Sequence, residues 1–407
     1  MIGDRYVKEY KNNKLTNEVK DITYDDIKRL YNENLRDERE CNQITIDCYA
    51  GNNYYGSSGN VLLDFFKEVL YSDPKTSGFL MEYPHGIIIK QAERNHYYRG
   101  ENQKYEKSIS SLLRKLNNLP NNKKIIYEFI AHMRIGEFKN FLLEFDYVQN
   151  WEKCYGTVLY EALAQHYGLD TYWLDVTNVF NTALFFATCR YDNIQNRWKP
   201  LTKEDTEKSE DTKFGYLFHI PAFRQRKDNI LFCSECNSEN KSKINCVFPI
   251  GFQPFERCYM QHAYGIYMSE EYSLQNDISF EKLRFRHSEK LSKEVFNLME
   301  QGKKIYPHEE FNAFNDIIDV IKNTNTFSIK AFEYAKNKLN YFNTPNELYE
   351  AIIKIPHFID KDIRVCTVPA YNLSRQRRRN FNRKFKGFSI EKAYNIKLMT
   401  RMSYTKQ

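Results

Sequence analysis

Apolar residues recur at helical spacing over several long stretches. Asn60 can cap a helix running through Tyr71, with Val61, Leu62, Phe65, Phe66, Val69 and Leu70 on one side and Asp73-Pro74 as its stop. Lys107–Leu116 and Asn122–Phe145 carry the same spacing. Thr157 opens a further helix, and Gly168 suits its C-terminal end. Short alternating or β-rich runs read as strands: Gly86–Ile89, His96–Arg99, Thr171–Thr177, Lys213–Ile220, Ile244–Pro249, Arg257–Met268 and Phe280–Arg286. Asn178 is placed to cap the helix after the third of these, and Ser288 opens another that ends at Gly302. Capping patterns stand at Thr23-Tyr-Asp-Asp26 and at Thr344-Pro-Asn-Glu347, the latter opening a helix through Ile355.

Helices come first, then alternation, then several strands. That order predicts an α+β fold with a mainly antiparallel sheet rather than a doubly wound nucleotide fold. It divides the chain into a polar, helical section over 1–58, a central domain over 59–325, and a helical C-terminal section with a basic tail over 326–407.

Composition adds three points. With 407 residues and 42% hydrophobic content, the chain can bury a real core. The 31 Tyr and 29 Phe suit clefts and interfaces, although an AT-rich coding sequence would raise Tyr, Phe, Asn, Lys and Ile together. The net charge of +7 sits in the tail, because residues 363–407 hold twelve Lys or Arg against the single acid Glu391. The N-terminus lacks the apolar core of a signal peptide, and no apolar run approaches membrane-spanning length. Nine cysteines, an odd number, then read as reduced thiols, and the expected location is the cytoplasm.

Leu163-Ala-Gln-His-Tyr-Gly-Leu-Asp-Thr-Tyr-Trp-Leu-Asp-Val-Thr177, continued by Ala183-Leu-Phe-Phe-Ala187, sets polar groups between apolar ones where a plain core would use aliphatics. This stretch resembles the central motif of the FRG domain family, with Asp170, Tyr172 and Val176 in place of its usual Pro, Arg and Trp. Tyr97-Tyr-Arg-Gly100 resembles the Phe-Arg-Gly motif that names the family. Ser111-Leu-Leu-Arg114, Gly136-Glu-Phe-Lys139, Arg257-Cys-Tyr-Met-Gln261 with Gly265, and Ile305-Tyr-Pro307 resemble its other segments. The resemblance covers roughly residues 60 to 325 and speaks to fold more than to activity.

Phosphate chemistry is the first to test. Neither a P-loop nor a G-x-G-x-x-G is present. Arg99-Gly100 at a strand end is another device: a guanidinium forks onto a diphosphate, and a glycine lets backbone approach it. Alternatively, Arg99 pairs with Asp175 and Gly100 is only a turn. The layout is also similar to the ADP-ribosyltransferase fold, whose small split sheet grips NAD. That similarity implies Arg99 as diphosphate anchor, Tyr98 or Tyr167 as the face against nicotinamide, Thr177 as a second-strand hydroxyl, and Gln261 as the late-strand group, with Glu270 or Glu271 as its substitute. Gly100, His166, Tyr167 and Asp175 complete the expected NAD site. His166 is either a proton shuttle or a satisfied helix-end histidine, and Asp175 orients Arg99 or His166.

Cys233-x2-Cys236, Cys246 and Cys258 raise a zinc question, but structural sites usually bring two paired knuckles and only one pair is present, so no metal is expected. In the tail, Arg375, Arg377, Arg378, Arg379, Arg383 and Lys384 interleave with Phe381, Phe385 and Phe388, a pattern suited to phosphate backbones and stacked bases. The alternatives are a solvated terminus, part of the fold, or attraction to an anionic membrane surface, which the lack of a clear apolar face disfavours. Two functions follow as expectations. One is an NAD-using ADP-ribosyltransferase or NAD glycohydrolase acting as a toxin or anti-phage effector, with nucleic acid recruited by the tail. The other is a non-enzymatic module binding a nucleotide or nucleic acid.

Overall fold

The computed structural model describes residues 18–34, 77–83, 86–91, 96–154, 156–192, 195, 197–221, 247–268, 273–277, 280–355, 362–388 and 397–399. It gives backbone alone for 77–83, 86–91, 96, 220–221 and 397–399. The expected helix over 60–71, Cys233, Cys236, Cys246, Glu270 and Glu271 lie outside the described residues.

The expected α+β architecture is present. A seven-stranded sheet runs in the order Val19–Asp21, Glu281–Arg286, Phe214–Pro221, His96–Glu101, Trp173–Thr177, Ala263–Tyr267 and Val247–Pro249. Every neighbouring pair is antiparallel except Val19–Asp21 against Glu281–Arg286. The centre of the sheet is not a full ladder: His96–Glu101 and Trp173–Thr177 share one register pair, Tyr98 with Thr177. The two strands diverge from that point, and the cleft described below opens there.

Strand alternation sorts side chains onto two cores. On one face Tyr97, Leu174, Val176, Phe218 and Ile266 meet Leu112, Leu113 and Leu116 of the helix Ser111–Asn117. On the other, Tyr98, Leu217, Leu283 and Phe285 meet the helices Phe180–Thr188 and Glu289–Leu298. The helix Asn121–Leu142 is the spine of the remainder. Its Phe129 and Met133 pack against Phe332 and Leu348 of the C-terminal section, while Phe138 and Phe141 enter an aromatic core with Tyr167 and Phe311. Among the described residues, no helix is long and apolar enough to cross a membrane.

Several expected boundaries move. The Lys107–Leu116 run is helical only from Ser111, after Ser110 caps it; the helix expected over Asn122–Phe145 covers Asn121–Leu142, and a further helix, Asp146–Cys154, follows it. The helix expected from Thr157 begins at Tyr160 without a side-chain cap, and Gly168 ends it at φ +81°, as its sequence position suggested. Asn178 does not cap the next helix. Thr177 Oγ1 accepts the Val179 N–H instead, at 3.2 Å, and the Asn178 amide donates to the Tyr264 hydroxyl. Arg257–Met268 is not one strand: Glu256–Met260 is a short helix, and the strand covers only Ala263–Tyr267.

The basic tail is part of the fold over residues 374–388. Ser374 caps the helix Arg375–Lys384 by accepting the Arg377 N–H at 3.2 Å. Phe381 is 3% exposed in the aromatic core, with Phe385 and Phe388 packed against it. Arg377 pairs with Asp316, Arg378 with Glu144 and Lys384 with Glu310, so three of the six cations assigned to nucleic acid are engaged within the chain. Arg375, Arg379 and Arg383 are exposed.

Candidate functional site

A cleft of about 400 Å³ lies where the sheet opens between His96–Glu101 and Trp173–Thr177. Tyr98, Arg99, Gly100, His166, Asp175, Thr177 and Gln261 all line it, although more than 160 residues separate the first from the last. Tyr167, expected at the same site, is not among the lining residues.

Arg99 is held at the divergence of the strands. Its Nε donates to Glu101 Oε1 at 2.9 Å, and its Nη1 donates to the Asp175 carbonyl at 2.8 Å. The guanidinium thus spans the strands where their ladder has stopped. Glu101 is 5% exposed and also accepts the Ser108 hydroxyl at 2.6 Å, which fixes the carboxylate beneath Arg99. The structural partner of Arg99 is therefore Glu101 with the Asp175 backbone, not the Asp175 carboxylate.

Gly100 serves a different purpose from the expected one. A Cβ there would lie 1.7 Å from the Ala183 carbonyl oxygen and 2.9 Å from the Ala187 nitrogen. The backbone that approaches closely is the helix Phe180–Thr188, so glycine is required for strand–helix packing.

Gln261 and Thr177 are both hydrogen-bonded within the protein. Gln261 is the C-cap residue of Glu256–Met260; its Nε2 donates to the Ile305 carbonyl at 3.1 Å, and its Oε1 faces His166 Nδ1 at 3.0 Å. The Thr177 hydroxyl donates to the Gln261 carbonyl at 2.8 Å and accepts from Val179. These two residues hold His166 and the turn behind it.

The amide orientation of Gln261 sets the histidine tautomer. Because its nitrogen is spent on Ile305, its oxygen meets His166, and Nδ1 carries the proton of the neutral ring. Nε2 then bears a lone pair. It is buried, has no hydrogen-bond partner, and lies 4.0 Å from Asp175 Oδ1, which is also buried and unpartnered. Burial pushes the His166 pKa below the ordinary imidazole value; the neighbouring Asp175 charge opposes that shift without reversing it.

Tyr167 is not in the cleft. Its ring lies in the aromatic core, 5.0 Å from Phe311, and its hydroxyl donates to Glu309 at 2.6 Å. Burial raises its pKa far above the phenol range. Arg257 stacks on that ring at 4.4 Å, donates to the His166 carbonyl at 3.1 Å, and lies 3.2 Å from Glu309. This buried Tyr167–Arg257–Glu309 group props the cleft floor from behind. Tyr98 borders the cleft, but its ring is 4% exposed, stacked on His219 at 5.0 Å and edge-on to Phe180 at 5.4 Å.

Arg114 and Arg190, neither of them an expected site residue, line the cleft with Tyr105, Phe186, Tyr191 and Trp198. Arg190 pairs with Asp205 at 2.9 Å, whereas the Arg114 guanidinium has no ion-pair partner among the described residues. Arg114 stood in a family-like segment, which was the available signal; nothing local marked Arg190 or Glu101. Of the four cysteines raised for zinc, Cys258 is the one described. Its thiol is buried, with its pKa pushed well up by that burial. A second, more polar cleft of about 540 Å³, lined by Glu137, Asn140, Tyr371, Arg378 and Arg379, lies beside the C-terminal helix and contains none of the expected NAD-site residues.

Residues 94–196 match the family model of the FRG domain. The matched span carries Arg99, Glu101, Arg114, His166, Asp175, Thr177 and Arg190, while Arg257 and Gln261 fall beyond it. No curated protein and no solved structure matches the chain, and the expected similarity to ADP-ribosyltransferases finds no support there.

Proposed function

We propose that this cleft binds a phosphorylated, ring-bearing ligand of the nucleotide class, with NAD the first to test, and acts at its ribosyl centre. The observation that carries the reading is the meeting of three guanidinium groups, Arg99, Arg114 and Arg190, with Tyr98, Tyr105, Tyr191 and Trp198 in one cleft. Guanidinium forks suit phosphate oxygens, and aromatic faces suit a base or nicotinamide ring. In this scheme Arg99 anchors phosphate and the Asp175 carboxylate faces the ribose. His166, Gln261 and Thr177 position the floor. The family resemblance supplies the context of a toxin or anti-phage effector, with nucleic acid as a target that Arg375, Arg379 and Arg383 would help recruit.

The engagement of Thr177 and Gln261 in hydrogen bonds within the chain favours one second reading, a binding module without turnover. Incubation of the full chain with NAD, following free nicotinamide alongside calorimetric binding, separates the two. Turnover that Arg99→Ala lowers by about 2–4 kcal/mol of transition-state stabilisation supports the enzyme. Binding without nicotinamide release supports the module. Neither binding nor release at millimolar NAD or AMP overturns both.

A further inference from the structure

His166 Nε2 and Asp175 Oδ1 are two buried acceptors set side by side. At 4.0 Å they are too far apart to bond to each other, and neither has another partner. The His166 proton cannot move across to bridge them without cost, because Nδ1 holds it against Gln261 Oε1, whose own orientation is set by Ile305. Burial disfavours a second proton on the ring, and Arg257 adds to that, while the Asp175 charge opposes it without reversing the direction. Buried polar atoms are nearly always paired, so a matched pair left open in a cleft describes what the ligand brings.

We propose that the ligand presents two adjacent hydrogen-bond donors to this floor, one to His166 Nε2 and one to Asp175 Oδ1. A single hydroxyl has one proton and satisfies only one of the two. A primary amino or carboxamide group has two protons on one nitrogen, and a vicinal diol has one on each of two oxygens. The site therefore selects such a group over its oxo or deoxy counterpart. The inference deepens the nucleotide reading above and rests on it for the identity of the ligand, but the acceptor pair itself does not.

The test has two parts. Calorimetric titration of the full chain compares AMP with inosine monophosphate, nicotinamide mononucleotide with nicotinic acid mononucleotide, and AMP with 2′,3′-dideoxy-AMP. Loss of one donor leaves a buried acceptor unpaired, so the preferred member of a pair should bind about tenfold more tightly or better. Selectivity in the first two pairs assigns the donors to an amino or amide group; selectivity in the third assigns them to the diol. Equal binding within every pair overturns the proposal while the nucleotide reading stands.

The second part needs no ligand. Asp175→Asn keeps the shape and replaces a buried, unpartnered carboxylate oxygen facing the Nε2 lone pair with a neutral amide that can turn its N–H to that side, which removes the acceptor–acceptor repulsion even without a bond across 4.0 Å. The variant should unfold at a higher temperature than the wild type and, where a nucleotide binds, bind it about tenfold more weakly. An unchanged or lower unfolding temperature overturns the acceptor pair whatever the ligand results show. If no nucleotide binds but Asp175→Asn is stabilising, the nucleotide reading fails and the acceptor pair survives.

Discussion

The C-terminal helix offers a test in which two forces can be weighed against each other. Its basic side forms ion pairs Arg377–Asp316, Arg378–Glu144 and Lys384–Glu310 with side chains 35–62% exposed. Pairs this wet are worth about 0–1 kcal/mol each and weaken in salt. Its apolar side inserts Phe381, 3% exposed, with ring centroids 4.5 Å from Phe145, 4.7 Å from Phe385 and 5.4 Å from Phe314. Truncating such a ring costs about 3–5 kcal/mol, so one phenylalanine outweighs the three ion pairs together. Phe381→Ala should lower the urea midpoint substantially, and hydrogen exchange over residues 374–388 should rise most. Raising NaCl from 0.1 to 1 M should move neither by a comparable amount. Deleting residues 372–407 should do more harm still, since it also strips Tyr147 of the Phe385 ring stacked at 4.3 Å. A Phe381→Ala protein with a wild-type midpoint, or a wild-type midpoint that drops as far in salt as in the variant, would refute the packing argument and return the segment to a charged, solvated end.

Gly100→Ala should cost about 3 kcal/mol or more in stability, because its Cβ meets a backbone carbonyl that no side-chain rotation can move aside. Thermal unfolding checks this, and a variant that melts normally while losing only ligand would restore the phosphate-approach role for Gly100. For His166 the sign runs as a depressed pKa requires: the unfolded chain takes up its proton near 6.5 and the folded chain only lower, so stability from this residue is present above that value and lost as pH falls below it. The stability gap between wild type and His166→Gln should narrow from pH 7.5 to pH 5.5 in urea titrations; a gap that widens contradicts the buried neutral ring.

Local signals in the chain were enough for the class of fold, most strands, and caps such as Ser288 and Thr344, because capping and periodicity depend on neighbours a few residues away. They were also enough to nominate Arg99, His166 and Asp175, whose polarity stands out in apolar surroundings. What each group touches was decided by contacts across the chain. Tyr167 follows His166 directly, yet it leaves the cleft for the aromatic core, because the helix ends there and successive side chains point apart. Gly100 answers to a helix more than 80 residues later, and Gln261 spends its amide on Ile305 and His166. The basic run looked like a nucleic-acid arm by composition. Only the fold shows Phe381 entering a core built from residues between Ile135 and Ile321, since burial is a property of the assembled surface and no window of sequence contains it.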